Sequence, residues 1–559
     1  MKKILSITIL LASLILISGC QQPDDLIPPV SRMGINSIIA NFEDGTGDFV
    51  GITPETGNEI IIPVPYFFPE SSNNQVTEAR LKKMRVRADL DDNVIVDPPL
   101  LFMDLTVDNI ITVTDQRKEQ KQYTVKAVIR RSNACSIEEF NLPSLGLSGI
   151  INEADKTISL LTLDDLEPAL ADLRMSFHAS ISPDPRTTAL DYNQDVTLTV
   201  TAHDGVTKNV YTVKKAVPNK LPFGIRPGSG KIMFEKQLRA DLGITVDHLT
   251  GGIAATNDYV ILNTRNDVSI YIDPKTGNKL GTFDLGPIKG NLRNFYTTAD
   301  AAGNVLICNL AQNDGPFKMW RLTSMTGATE LFIDWADNTA DAIGRKFSVY
   351  GNIDGNAIIT APLLTGTNQR FARWTVTGGV LTSQTPEIIT MSGLERGWTT
   401  NCDIVHTSAT NVNADYFVAS YSDNTFAWVN GSNNQVRKKL DEIERNFIPN
   451  AVDYIEFNNA KFVTLNWVNS FNWGAADMVW LLDVSTDATF TGSLMAGTCP
   501  AVVWKTDLHK YGGGPLGVPN TNGTGDVALR VSDDGYYLYL YFMFTNGYIV
   551  GVQFDCVEM

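Results

Sequence analysis

The sequence has few of the residues that carry metal, disulfide or redox chemistry. Its 559 residues include five histidines and six cysteines. No two cysteines are spaced C-x-x-C, and no histidine has a ligand-type partner at the spacing of a zinc site. We therefore predict no metal site and no cofactor. The five cysteines other than Cys20 show no disulfide framework, and a single pairing stays open.

Basic charge and several catalytic motifs are also missing. The formal net charge is −17, which argues against a general nucleic-acid binder because neutralising phosphates needs a basic surface. The sequence contains no Gly-x-Ser-x-Gly elbow, no H-E-x-x-H motif and no Ser-x-Asp-x-Gly-x-Thr-Trp box of the sialidase type. These absences favour a non-catalytic protein.

The first 25 residues indicate export and a lipid anchor. Lys2 and Lys3 precede an apolar run at 4–17, which is shorter than the roughly 20 residues that span a bilayer. The run ends in "ISGC", which resembles the lipobox of bacterial lipoproteins and predicts lipidation at Cys20. Asp24 and Asp25 resemble the acidic signal that sends Bacteroidota lipoproteins to the cell surface. We expect a signal peptide at 1–20, a tether at 21–30 and a surface location at the outer membrane; the alternative is an ordinary signal peptide.

Two related segments predict a pair of small domains. "DNIITVTDQRKEQKQYTVKAVIR" (108–130) and "DVTLTVTAHDGVTKNVYTVKKAVP" (195–218) both have the pattern strand, polar turn, strand. Their Tyr-Thr-Val-Lys motifs begin at Tyr123 and Tyr211. The 43 glycines and 25 prolines suit an all-β protein with many turns. We predict two β-sandwich modules of immunoglobulin type, at 31–131 and 132–218.

A longer repeat follows a Pro- and Gly-rich linker at 219–230. An arginine stands two residues before an aromatic residue at intervals of about 50 residues, at Arg293, Arg345, Arg396 and Arg445. This period is typical of β-propeller blades, and turn signals at 300–304, 354–356 and 534–535 fit the first hairpin of a blade. We predict a propeller of about six blades at 231–559, with seven blades, a long β-sandwich or a β-helix as alternatives.

The predicted binding site lies on the propeller face that carries the starts of the first strands. The fifth blade is assigned strands at 451–457, 461–468, 477–484 and 488–495, so that 469–476 connects its second and third strands on this face. Aromatic rings bury the C–H face of a sugar, and arginine binds its hydroxyl or acidic groups. The candidate ligand-binding residues are Arg396, Trp398, Phe471, Trp473, Tyr511, Arg293, Arg345 and Arg445. The alternatives are that the tryptophans are core residues and that the arginines brace neighbouring blades.

Together, the lipobox at Cys20, the Tyr-Thr-Val repeats and the C-terminal propeller pattern resemble a largely uncharacterised family of Bacteroidota surface lipoproteins from glycan-uptake loci. The resemblance implies glycan binding at 231–559, spacer modules before it, and an outer-membrane transporter complex as a possible partner. The expected function is non-catalytic capture of an oligo- or polysaccharide. Two alternatives remain, a protein–protein scaffold or adhesin and a propeller-type polysaccharide-degrading enzyme, which would need two carboxyl groups roughly 5–10 Å apart.

Overall fold

The computed structural model describes residues 34–558 except 55, 313–314, 337–338, 340, 399–400, 422–424, 441–447 and 469–476. Strands make up 48 % of the structure and helices 2 %, so the prediction of an all-β chain is confirmed. The described helices are α1 (Glu78–Leu81) and the 3-10 turns η1 (Pro143–Leu145) and η2 (Gly286–Ile288). Over these same residues, none of the helices combines the length and the apolar character needed to cross a membrane.

The chain divides into two compact units, Met1–Val217 and Pro218–Met559. The first part of the first unit forms two four-stranded sheets. One has the order β2-β1-β4-β6 and the other β3-β8-β7-β5. Their strands are β1 (Ile35–Asn41), β2 (Phe49–Val50), β3 (Glu59–Pro65), β4 (Met84–Leu90), β5 (Ile95–Asp97), β6 (Phe102–Met103), β7 (Asn109–Thr114) and β8 (Gln120–Arg130).

The rest of the first unit forms one seven-stranded path. Its strands are β9 (Ile137–Leu142), β10 (Leu147–Asn152), β11 (Thr157–Leu161), β12 (Asp172–Met175), β13 (Ser180–Ser182), β14 (Val196–Thr201) and β15 (Lys208–Ala216). Their order in the sheet is β12-β9-β10-β11-β15-β14-β13. Most neighbours are antiparallel, but β11 runs parallel to β15, as β3 does to β8.

The two Tyr-Thr-Val repeats form equivalent hairpins. Strand β7 pairs antiparallel with β8, and β14 pairs antiparallel with β15, as the strand–turn–strand pattern predicts. Tyr123 faces Ile111 and Tyr211 faces Leu198 across the hairpins, and both tyrosines are fully buried. The repeat in the sequence therefore marks a repeated core position.

In the described part of the second unit, six antiparallel sheets follow one another along the chain. The first three are made of β17 (Thr250–Ala255), β18 (Val260–Thr264), β19 (Ser269–Ile272) and β20 (Lys279–Phe283); β21 (Tyr296–Ala299), β22 (Val305–Cys308), β23 (Phe317–Leu322) and β24 (Thr329–Trp335); and β25 (Ala342–Ile343), β26 (Ser348–Gly351), β27 (Ala357–Leu364), β28 (Arg370–Thr377), β29 (Val380–Leu381) and β30 (Glu387–Thr390).

The other three sheets complete the unit. Their strands are β31 (Cys402–His406), β32 (Tyr416–Ser420), β33 (Thr425–Asn430) and β34 (Gln435–Lys439); β35 (Pro449–Phe457), β36 (Ala460–Trp467), β37 (Met478–Asp483) and β38 (Val502–Lys505); and β39 (Gly525–Val531), β40 (Tyr537–Phe544) and β41 (Tyr548–Asp555) with β16 (Lys231–Gln237). The last sheet joins the two ends of the unit, because β16 pairs with β41. This pairing covers an edge of β41 that would otherwise be open.

We call β17, β21, β26, β31, β35 and β39 the leading strands of the six sheets. They contact one another in a closed series, in this order and from β39 back to β17. Predicted turns join the first strand to the second in three sheets. Asp300 begins the turn between β21 and β22, Asp354 lies between β26 and β27, and Asp534 lies between β39 and β40. These three hairpin predictions are confirmed.

The fourth strand of the fifth sheet differs from the prediction. The sequence pattern placed it at 488–495, whereas the structure places it at β38. Residues 488–495 form turns, and Gly492 adopts a left-handed backbone conformation with a φ of 80°. Phe490 and Leu494 are nevertheless buried, which explains why the segment resembles a strand.

The Pro- and Gly-rich segment at 219–230 belongs to the second unit and packs against its C-terminal residues. The Leu221 amide donates to the Cys556 carbonyl at 2.7 Å, and Arg226 forms an ion pair with Asp555 at 2.5 Å. These two contacts hold the segment against the C-terminal residues of the chain.

Candidate functional site

A cavity of about 190 Å³ lies where the leading strands of the six sheets begin. We call it the basic cavity, and its principal polar and aromatic lining residues are Arg265, Phe295, Gln312, Arg345, Lys346 and Asn401. Phe295, Arg345 and Asn401 come just before β21, β26 and β31, whereas Arg265 follows β18. The cavity is therefore lined both by residues that precede leading strands and by Arg265, from the connection between β18 and β19.

Arg265 is the most constrained cation of the basic cavity. Its side chain donates from Nη1 to the Asn291 carbonyl at 3.1 Å and from Nη2 to the His248 carbonyl at 3.0 Å. The residue is 8 % exposed, and its Nε is buried without a hydrogen-bond partner among the described residues. Burial, followed by the charge of Arg345, lowers the pKa of Arg265 to about 10. The guanidinium is thus held in place by backbone carbonyls, while its Nε–H has no partner.

Arg345 shares an aromatic ring with Arg265. The guanidinium carbons of Arg265 and Arg345 lie 4.4 and 5.6 Å from the centre of the Phe295 ring. Such contacts favour a cation over an aromatic face. Burial lowers the pKa of Arg345 as well. Across the part of the chain that the structure describes, no carboxylate lies within ion-pair distance of either arginine.

Asn401 leaves an acceptor unused in the same cavity. Its amide nitrogen donates to the Gly523 carbonyl at 3.2 Å. Its Oδ1 is buried and accepts no hydrogen bond from any described residue. Because an unpaired buried polar atom costs about 1–3 kcal/mol, an unused donor and an unused acceptor in one cavity favour occupation by a polar molecule.

A buried ion pair lies next to the basic cavity. Lys346 Nζ donates to Asp526 at 2.8 Å and to the Gly525 carbonyl at 2.8 Å, and the two charged side chains are 3 % and 1 % exposed. Asp526 also accepts hydrogen bonds from the Tyr296 hydroxyl and the Ile253 amide, each at 2.7 Å. Burial raises the pKa of Asp526. This aspartate therefore binds three neighbouring leading strands together.

Two more aspartates link leading strands in the same way. Asp403 accepts from the Ser348 hydroxyl at 2.9 Å and from the Val452 amide at 3.0 Å, and Asp453 accepts from the Leu529 amide at 2.7 Å. Burial raises the pKa of Asp403 to about 6 and that of Asp453 to about 7. The carboxylates are costly to bury but supply acceptors that connect the sheets.

Asp403 predicts a pH-dependent stability. Because its folded-state pKa of about 6 exceeds the ordinary 3.8, its contribution to the free energy of unfolding is largest below pH 4 and is lost as the pH rises through 6. An Asp403→Asn variant should lack this dependence, a difference of roughly 3 kcal/mol between the two ends of the window. Urea unfolding of the chain and the variant at a series of pH values measures it, and parallel curves would contradict the assignment.

A second, acidic cavity of about 470 Å³ lies where the leading strands end. Its lining includes Asp453, Glu456, Tyr350, Tyr454 and Arg530. The Tyr454 hydroxyl donates to Glu456 at 3.0 Å, and the rings of Tyr350 and Tyr454 are 5.3 Å apart. The lining of this cavity has four carboxylates and one arginine, whereas the lining of the basic cavity has two arginines and no carboxylate.

The first unit contains a larger cavity of about 840 Å³. Phe67 lies there beside His178 and His203, whose ring centres are 4.1 and 5.2 Å from its own and 5.4 Å from each other. His178 Nε2 lies 2.9 Å from the Glu70 carbonyl and 3.0 Å from that of Ser72. These aromatic groups already bind one another and the backbone, so we regard the cavity as part of the packing of this unit.

Residues 232–555 match a family described as Domain of unknown function (DUF8500). The chain belongs to this family. Residues 15–127 match Domain of unknown function (DUF5018), and residues 137–215 match Domain of unknown function (DUF8499). A comparison with curated proteins gives no match.

Two solved structures from Bacteroides are similar to the chain. A DUF4623 family protein from Bacteroides eggerthii DSM 20697 is 14 % identical, with 76 % of this chain and 99 % of that chain covered and a TM-score of 0.46. A protein of unknown function from Bacteroides caccae is 10 % identical, with 56 % and 95 % covered and a TM-score of 0.29. These family descriptions assign no activity.

Within the DUF8500 region, the repeated arginines differ in environment. Arg293, Arg345 and Arg396 each come before the leading strand of a sheet. Arg293 is exposed and donates to the Pro287 carbonyl at 3.0 Å, Arg345 lines the basic cavity, and Arg396 is exposed. Of these three arginines, the structure places Arg345 in the basic cavity, and the fourth, Arg445, lies outside the described residues.

Two predicted ligand contacts of the DUF8500 region are core residues instead. Trp398 is fully buried, and its ring nitrogen donates to the Arg370 carbonyl at 2.9 Å. Tyr511 is 2 % exposed, and its hydroxyl donates to Glu235 at 2.5 Å. Neither ring offers a face to a ligand, because neighbouring sheets cover both. Phe471, Trp473 and the lipidation site Cys20 lie outside the described residues.

The sequence analysis missed Arg265, Asn401 and the three buried aspartates of the DUF8500 region. A signal for the aspartates is present, because "CDIVH", "AVDYI" and "GDVAL" each place one carboxylate inside an otherwise apolar strand. A buried strand rarely carries an acidic residue without a partner. Arg265 has no comparable signal, since a single arginine in a polar turn usually faces solvent.

Proposed function

We propose that the chain is a cell-surface lipoprotein that captures glycans without degrading them. In this proposal the second unit is a six-bladed β-propeller, and the first unit consists of two immunoglobulin-like modules that act as spacers. The closed series of leading strands and the pairing of β16 with β41 support the propeller assignment. The lipobox at Cys20 and the acidic residues after it support the anchor and the surface location.

One observation carries the proposed binding activity. Arg265 and Asn401 line the basic cavity, and each has one buried polar atom, Nε and Oδ1, without a hydrogen-bond partner among the described residues. A hydroxyl group can accept a hydrogen bond and donate another, so a hydroxyl-rich ligand suits both atoms. At about 190 Å³ the cavity is smaller than a typical pocket for a whole ligand, and it therefore suits one sugar unit of a longer chain.

The buried aspartates support a non-catalytic role. Asp403, Asp453 and Asp526 each accept a backbone amide from a neighbouring leading strand. Such bonds occupy the carboxylates in joining sheets rather than in proton transfer. An outer-membrane transporter that receives the captured glycan is the partner that this function needs.

Glycan binding should depend on Asn401. We expect the full chain to bind at least one oligosaccharide in a glycan screen, and Asn401→Ala to weaken that binding about tenfold through the loss of a pocket hydrogen bond. Isothermal titration measures the affinity, and thermal melting checks that the variant is folded.

Arg437→Gln provides the control, because Arg437 lies on β34, the fourth strand of its sheet, pairs with Asp415 and Asp487 and does not line the basic cavity. Its affinity should equal that of the unaltered chain. Absence of binding to every glycan would overturn the proposed function. Binding that is unaffected by Asn401→Ala would overturn the proposed site.

A further inference from the structure

The charge of the basic cavity suggests which glycans it would take, and this inference rests on the proposed function. Six arginines of the second unit form ion pairs with carboxylates: Arg226, Arg239, Arg321, Arg370, Arg373 and Arg437. Arg265 and Arg345 have no such partner in the described part of the chain, although the protein carries a formal charge of −17. Arg293 and Arg530 also form no ion pair among the described residues, but Arg265 and Arg345 line the same cavity.

The geometry places both charges beside one aromatic ring of the small cavity. Both guanidinium groups lie beside the aromatic ring of Phe295, so their positive charges repel each other at short range. Lys346 is neutralised by Asp526 and adds no free charge. Two backbone carbonyls hold Arg265 in place, so an incoming anion would not have to order it.

We infer that the ligand of the basic cavity is a glycan whose bound sugar unit carries an anionic group, either a carboxylate or a sulfate ester. The anion would lie against the guanidinium groups of Arg265 and Arg345, which relieves the repulsion between the two cations. Charge-assisted hydrogen bonds of this kind are stronger than bonds between neutral groups. The acidic cavity at the other end of the leading strands would repel the same ligand.

The test compares charged glycans with neutral counterparts of the same backbone. The probes are oligogalacturonate with its carboxyl-reduced form and a sulfated oligogalactan with its desulfated form, each titrated into the full chain. We expect at least one charged probe to bind about tenfold tighter than its neutral counterpart, and its affinity to fall as ionic strength rises. The pair that shows the difference distinguishes carboxylate from sulfate.

Variants assign the effect to the two arginines. Arg345→Gln should reduce the affinity for the charged probe about tenfold and leave the neutral probe nearly unchanged. Arg265→Gln should act in the same direction, and Arg437→Gln should have no effect. Arg345 makes no hydrogen bond in the described structure, so its variant should fold normally even where Arg265→Gln is less stable.

The outcomes separate this inference from the proposed function. Equal affinity for charged and neutral probes, or charged binding that is unchanged in Arg345→Gln, would overturn the anionic specificity and leave glycan capture standing. Failure of all four probes and of every other glycan in the screen would overturn both. Binding to neutral glycans of the screen without binding to either charged probe would overturn the specificity alone.

Discussion

Replacing Lys346 with methionine is expected to lower the free energy of unfolding of the second unit by about 3–5 kcal/mol. The substitution leaves Asp526 charged and 1 % exposed, without the cation that now lies 2.8 Å away. Two hydrogen bonds to Asp526 would remain, from Tyr296 and Ile253, but they do not neutralise the carboxylate. Chemical denaturation of the full chain, followed through the transition of this unit, measures the loss.

The charge explanation can be separated from a packing explanation. At acid pH the Asp526 carboxyl of the variant takes up a proton, so the variant should regain stability as the pH falls. A double variant, Lys346→Met with Asp526→Asn, removes both charges and should recover at least half of the loss. A double variant as unstable as Lys346→Met alone would indicate that packing, rather than an unpaired charge, causes the destabilisation.

Replacing Trp398 with alanine is expected to cost about 3–5 kcal/mol of stability and to affect glycan binding only through unfolding. The ring is fully buried among Phe371, Ile404 and Tyr416. Its nitrogen also donates to the Arg370 carbonyl, which would lose a partner. Denaturant unfolding measures the stability, and titration below the melting temperature measures the affinity of the folded variant.

Trp398→Phe serves as the matched variant. It keeps an aromatic ring in the core but loses the hydrogen bond to Arg370, so we expect a smaller loss of roughly 1–3 kcal/mol. Both variants should bind glycan with normal affinity while folded. A Trp398→Ala protein of unchanged stability that no longer binds glycan would show that Trp398 belongs to the binding site.

Trp398 also explains what the arginine repeat means physically. Phe295, Phe347 and Trp398 follow the repeated arginines by two positions, and all three are buried. In the "ERGW" copy, a side chain at Gly397 would come within 2.7 Å of the backbone of Thr367 and Asn368. The repeat therefore records a shared core position before three leading strands, β21, β26 and β31, and the arginine environments vary around it.

Much of the fold was predictable from local patterns. Alternating apolar residues and Asp-Gly turns predict the β7–β8 and β14–β15 hairpins and three first hairpins of the second unit, because strand pairing of this kind depends on residues close in sequence. The last strand of the fifth sheet was misplaced, because buried residues in turns, such as Phe490, have the same hydrophobic pattern as strand residues. Hydrophobic periodicity indicates which residues are buried and does not distinguish a strand from a buried turn.

The sequence by itself determined that this chain is built of short strands, that two Tyr-Thr-Val hairpins recur, and that an aromatic residue repeats at a period of about 50 in the second unit. Only the tertiary structure decided that Trp398 and Tyr511 are core and that Arg265, Arg345 and Asn401 share one cavity. The physical reason is the separation along the sequence of the residues that interact. Strands and turns follow from neighbouring residues, whereas a cavity is formed by groups that lie far apart in sequence and meet only when all the sheets have packed.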